Sequence, residues 1–148
     1  MDTENDKKYN SNNNKDQIMC AKASGCRRES VLVVTPECFI WQDGLPVKVH
    51  LIEKGGKERD AHILVKYQEN LKSVLENKEM GKPLFESYTK KIDNHAFRRE
   101  YAKDRYQELL GNREDEMDYR GYDKRVLKEL TMDLGHNRLD VIVYNYLS

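Results

Sequence analysis

The feature that most constrains this chain is a run that alternates like a strand and then stops at two glycines. Val47, Val49 and Leu51 recur at every second position in VKVHLIE, which is the period of a half-buried β-strand. Gly55-Gly56 follow, and KERDAHILV can return antiparallel, so the sequence predicts a hairpin. The period then changes. Leu64, Tyr67, Leu71, Val74 and Leu75 recur at helical spacing, which predicts an amphipathic helix over 63–78 stopped by Gly81 and Pro83. A hairpin feeding helices of this kind points to an α+β fold, mainly helical, with a small antiparallel β-hairpin or sheet.

The flanking segments extend that pattern. DNHAFRREYAKDRYQELLG reads as a long helix with Asp93 or Asn94 at its start, Gly111 at its end, and Phe97, Tyr101, Leu109 and Leu110 on its core face. RVLKELTMDLGH reads as a further helix closed by Gly135. QIMCAKASGCRRESVLVV suggests a short helix broken near Gly25 and a second turn from Arg27 to Val33. VTPECFIWQDGLP reads as a loop punctuated by Pro36, Gly44 and Pro46. RLDVIVYNYLS is open between a strand and a short helix capped by Asp140. Residues 1–16 are rich in Asn, Lys and Asp with almost nothing apolar, and are expected to be disordered.

Composition bounds the function. The chain has 148 residues, about one domain, with 38% hydrophobic and 35% charged residues. The charged share exceeds the ~25% of typical domains, so the surface is very polar. No apolar run approaches the ~18 residues of a membrane span, and the start lacks the apolar core of a secretory signal. Cys20, Cys26 and Cys38 make an odd count without a C-x-x-C pair, which suits a reduced, cytoplasmic protein. The four histidines pair with no Cys or His at zinc-ligand spacing, so no metal is expected. The 26 cations balance the 26 anions, which weighs against nucleic-acid binding unless the charges are segregated in space.

Several polar residues stand out. EKGGKER spends a turn on displaying Lys54, Lys57 and Arg59, where the glycines alone would make the hairpin. Lys57 and Arg59 either contact a nucleic-acid backbone or merely solvate the turn. Arg27 follows Gly25-Cys26. His95 and Arg98 lie three apart on one helix face. His136 follows a Leu-Gly helix stop, where it either serves chemistry or caps the helix end. Tyr144 and Tyr146 follow. Arginine forks match phosphate oxygens, lysine can protonate a leaving oxygen, and histidine can handle a tyrosine proton. Together these groups suit phosphoryl transfer to a tyrosine hydroxyl, with cations stabilising the developing charge.

The motifs in this order resemble the catalytic domain of the tyrosine recombinases, the phage-integrase family. SGCRRES is similar to the family's first-arginine motif, KVHLIEKGGKER to its lysine-bearing hairpin, HAFRREYA to His-x-x-Arg, and LGHNRLDVIVYNYL to its Leu-Gly-His segment and terminal tyrosine. The resemblance covers about residues 17–148 and implies site-specific DNA recombination without any cofactor. It implies catalytic roles for Arg27, Lys54, His95, Arg98, His136 and Tyr146. The tyrosine would attack a phosphodiester and leave a 3′-phosphotyrosyl link and a free 5′-hydroxyl. Lys54 would protonate the leaving oxygen; Arg27, Arg98 and His136 would hold the phosphate; His95 would assist proton transfer. Tyr144 and Tyr146 bracket the nucleophile's position, and the ending NYL, similar to the family's HYL, favours Tyr146. The implied partners are double-stranded DNA at a specific site and further copies of the chain on that DNA, with no membrane. Four departures from the family are expected: an absent N-terminal core-binding domain, short helices before the first arginine, a longer spacing from Arg98 to His136 through the acidic loop 111–123, and an absent or minimal segment after Tyr146. The alternative expectation is a non-catalytic DNA-binding remnant or regulator derived from a truncated integrase.

Overall fold

A computed structural model describes residues 14–53, 56–111, 122–135 and 143–147, with the side chains of 144 and 145 excepted. Among the described residues it is an α+β structure of five α-helices and one three-stranded antiparallel sheet. The helices are α1 (Lys15–Ser24), α2 (Arg28–Val33), α3 (Val65–Leu75), α4 (Asn94–Leu110) and α5 (Lys124–Leu134). The strands are β1 (Phe39–Gln42), β2 (Leu45–Ile52) and β3 (Glu58–His62), in the order β1-β2-β3. A single π-helical turn spans Val143–Leu147. Among the described residues no helix is long and apolar enough to cross a membrane.

The hairpin of the alternating run is β2–β3, with Val49 opposite Ala61 and Leu51 opposite Arg59. Its tip closes through Glu53 N to Lys57 O at 2.7 Å and Gly56 N to Glu53 O at 2.9 Å. The segment read as a loop instead contributes a strand. β1 pairs with β2 through Phe39 opposite Val49. The connection is Asp43-Gly44, both at positive φ (53° and 79°), which matches the twist of a two-residue hairpin. The prolines that suggested a loop are accommodated, Pro36 before the sheet and Pro46 opposite Trp41, beside the bulge between Ile40 and Trp41. Pro36 opens a 3₁₀ turn, and Pro46 is near the start of β2 on the pair with the edge strand β1.

α4 and α5 follow their signals closely. α4 starts at the Asp93 cap, whose carboxylate accepts from Ala96 N at 3.2 Å, and ends at Gly111. α5 is capped by Asp123 and closed by Gly135 in the left-handed conformation. α3 is shorter than expected and ends at Leu75, the last buried apolar residue of its stripe. Its first turn lacks a side-chain cap of its own, and the Glu108 carboxylate of α4 accepts Val65 N at 2.7 Å instead. At the other end, α1 begins at Lys15, inside the segment expected to be disordered.

Two apolar clusters result. One joins the inner sheet face (Phe39, Val49, Leu51, Ala61) to α1, α2 and the loop residues Leu84, Phe85 and Tyr88. The other joins α4 and α5 to Val143 and Tyr146 of the π turn. Where they meet, α1 packs on α4, and the C-terminal ends of α1 and α5 converge on the same stretch of α4.

Candidate functional site

Arg98 occupies that junction. It is 3% exposed, and its Nη1 donates to Gly25 O at 2.5 Å while Nη2 donates to Leu134 O at 3.4 Å. Those carbonyls belong to the ends of α1 and α5, where orphan acceptors and the negative end of the helix dipole favour a cation. Nη2 also donates to Tyr146 Oη at 3.3 Å, and the guanidinium lies 5.5 Å from the Tyr146 ring centroid. Burial lowers the Arg98 pKa from its ordinary value, against the opposing pull of Tyr146.

His95 lies one turn earlier on α4, with its ring centroid 5.3 Å from that of Tyr146. Burial, then the neighbouring Arg99 and Arg98 charges, hold the imidazole below its usual pKa, so it is more readily neutral. Arg27 approaches from the other side, as the residue preceding α2. Gly25 (φ 66°) makes this possible. It turns the chain at the end of α1, and a Cβ there would sit 2.4 Å from the Tyr101 ring. Asn94 secures the same segment by donating to Cys26 O at 3.1 Å while accepting from Tyr88 Oη at 2.9 Å.

Arg27, His95, Arg98 and Tyr146 thus line one open cavity of about 440 Å³, together with Arg28, Lys90 and the carboxylates of Glu29 and Asp93. Arg28 donates to the carbonyls of Tyr88 and Thr89 and lies over the Tyr88 ring, tying the loop before α4 to α2.

Arg27 and Arg59 share a carboxylate that sequence reasoning missed. Glu53 Oε2 accepts Arg27 Nε at 2.8 Å and Glu53 Oε1 accepts Arg59 Nε at 2.7 Å. Burial alone would raise the Glu53 pKa, but the Arg59 and Arg27 charges outweigh it and hold the carboxyl below its ordinary value. The signal for Glu53 was present in the alternation, since it continues the Val49–Leu51 face, and a carboxylate on an inward face requires a cationic partner.

The same alternation moves Arg59 away from the expected surface role. Opposite Leu51, its side chain is on the inner face, and the residue is 8% exposed. Beyond Glu53, its Nη1 donates to Asp133 O near the end of α5. Lys57 remains exposed, and its Nζ donates to Gly135 O at 2.8 Å. Lys54 and His136 lie outside the described residues, as does the Tyr144 side chain. The chain neighbours of the first two do meet: a Cβ on Gly135 would lie 3.2 Å from Glu53 Oε1 and 2.7 Å from Arg59 Cδ.

Among the described residues no cluster of His, Cys, Asp and Glu is arranged to hold a metal ion. Chemically, the cavity offers guanidinium groups for an anion, a phenol hydroxyl, and an imidazole beside it. Comparison of the chain with protein-family models, with curated proteins and with solved structures found no match.

Proposed function

We propose that this chain is a tyrosine-recombinase-type catalytic domain that cuts and rejoins duplex DNA at a specific site through a 3′-phosphotyrosyl intermediate. The observation that carries the reading is the convergence of Arg27, His95, Arg98 and Tyr146, distant in sequence, on one cavity. Tyr146 Oη would attack the phosphorus, forming the phosphotyrosyl bond as the P–O5′ bond breaks. His95 would assist transfer of the phenol proton, and Lys54 would supply a proton to the departing 5′-oxygen. Arg27, with Nε on Glu53, keeps its two Nη groups for the non-bridging oxygens. Arg98, using three hydrogen bonds of a five-donor group, and His136 would hold the same phosphate.

The test is a nicked suicide duplex carrying the recognition site, read by a covalent protein–DNA adduct on a denaturing gel. The wild-type chain should form the adduct and Tyr146→Phe should not. An adduct that persists in Tyr146→Phe and disappears in Tyr144→Phe would reassign the nucleophile.

One observation favours a second reading, a non-catalytic DNA-binding module. Tyr146 is 4% exposed and Arg98 is already committed to two helix-end carbonyls. That reading expects salt-sensitive duplex retention on a filter with no adduct under any condition.

A further inference from the structure

The arginines of the cavity are not all balanced by solvent. Glu53 is shared between Arg27 and Arg59, and its side chain is only 7% exposed. Salt therefore screens it poorly. Arg59 is equally enclosed, with 5% of its side chain exposed, so both are fixed charges behind the cavity wall. Arg27 joins the two environments. It lines the anion cavity with Arg98 and Tyr146, and also a neighbouring cavity with Glu53 and Lys57. Glu53 also feels the Arg98 charge. An anion held by Arg27 and Arg98 would consequently feel Glu53.

We infer that Glu53, acting through Arg27, offsets positive charge at this pocket and is a specificity-determining residue, disfavouring dianionic phosphate relative to a monoanionic phosphodiester. The inference rests on the phosphate-site reading above and adds the charge class that the site selects. Glu29 and Asp93 also line the anion cavity, but both are exposed and solvent-screened, whereas Glu53 is the enclosed carboxylate paired with Arg27 and Arg59. Repulsion from that carboxylate scales with the charge on the ligand, so a dianion meets twice the penalty of a monoanion. A backbone phosphodiester carries one negative charge, whereas inorganic phosphate and terminal phosphomonoesters carry close to two at alkaline pH. Glu53 thereby works against capture of free phosphate and strand ends while leaving Arg27 oriented through its Nε edge.

The experiment titrates the full chain at low salt and pH 8 with inorganic phosphate and with diethyl phosphate, read from the Arg27 Nε–H and His95 ring resonances. Glu53→Gln should tighten diethyl phosphate about threefold and inorganic phosphate about tenfold, the square of the first factor. Glu53→Asp, which keeps the charge, should keep the wild-type ratio. Arg59→Gln pulls the same lever in reverse and should weaken the dianion more than the monoanion, which tests the inference even if Glu53→Gln does not fold. The double substitution Glu53→Gln/Arg59→Gln restores the wild-type net charge and should restore the ratio, which a purely structural role for Glu53 does not predict. If both anions bind but their ratio is the same in wild type, Glu53→Gln and Arg59→Gln, the inference is overturned and the phosphate site stands. If neither anion perturbs Arg27 or His95 in the wild type, the phosphate reading falls and this inference falls with it.

Discussion

Arg98 and Tyr146, 48 positions apart, meet through a hydrogen bond from Nη2 to Oη at 3.3 Å inside the junction of two helix ends. The pair does structural work before any chemistry is asked of it. The same guanidinium satisfies Gly25 O and Leu134 O, so it ties α1 and α5 to α4.

Replacing Arg98 by Ala should therefore destabilise the protein by about 3 kcal/mol in urea unfolding, because buried carbonyls lose their donor and a cavity opens. Tyr146→Phe removes one hydroxyl from the same network and should cost about 1 kcal/mol or less. Equal costs for the two variants would contradict the central place given to Arg98.

Gly25→Ala should cost about 2–4 kcal/mol, the sum of left-handed strain and the collision with Tyr101. Gly81→Ala is the matched control. Its φ is 80°, but no atom lies within 4 Å of the added Cβ, so only the strain remains, roughly 1 kcal/mol. Chemical denaturation of both variants checks the difference.

Asp123 caps α5 by accepting from Arg125 N at 2.9 Å and Val126 N at 3.3 Å. Asp123→Ala should lower stability by about 1–2 kcal/mol, and Asp123→Asn should retain most of it. A neutral result for Ala would show that tertiary packing alone holds the first turn.

The two histidines His50 and His95 should act on stability with opposite sign. The Asp60 hydrogen bond at 2.6 Å, then the Glu58 bond at 3.0 Å, raises the His50 pKa. Its contribution is complete below the unfolded value of about 6.5 and is lost as pH rises through the higher folded value. The His95 pKa is lowered by burial and by Arg99 and Arg98, so its contribution is present above about 6.5 and is lost as pH falls through the lower folded value. Unfolding curves of His50→Gln and His95→Gln against wild type from pH 5 to 9 should show these opposite slopes. The His50 effect is exposed to solvent and should shrink in 1 M salt.

Much of the local architecture was legible because it is written within a few residues. Asp93 and Asp123 as caps, Gly111 and Gly135 as stops, and the alternation of β2 each act over less than one turn or one strand pair. β1 escaped notice because Pro36, Gly44 and Pro46 were weighed as punctuation, while the Asp43-Gly44 turn signal and the run Phe39-Ile40-Trp41 were not. Arg59 was placed at the surface by its charge, whereas its register opposite Leu51 puts it inside.

The sequence by itself determined the caps and stops of α4 and α5 and the alternation of β2, and it singled out the residues whose chemistry would suit a phosphate. Only the tertiary structure decided that Arg98 faces Tyr146, that Glu53 joins Arg27 to Arg59, and that Arg59 reaches the end of α5. The physical reason is range. Caps, turns and periodicity are local, but the partner of a buried charge is selected by which helix ends and strand faces the packed core brings together.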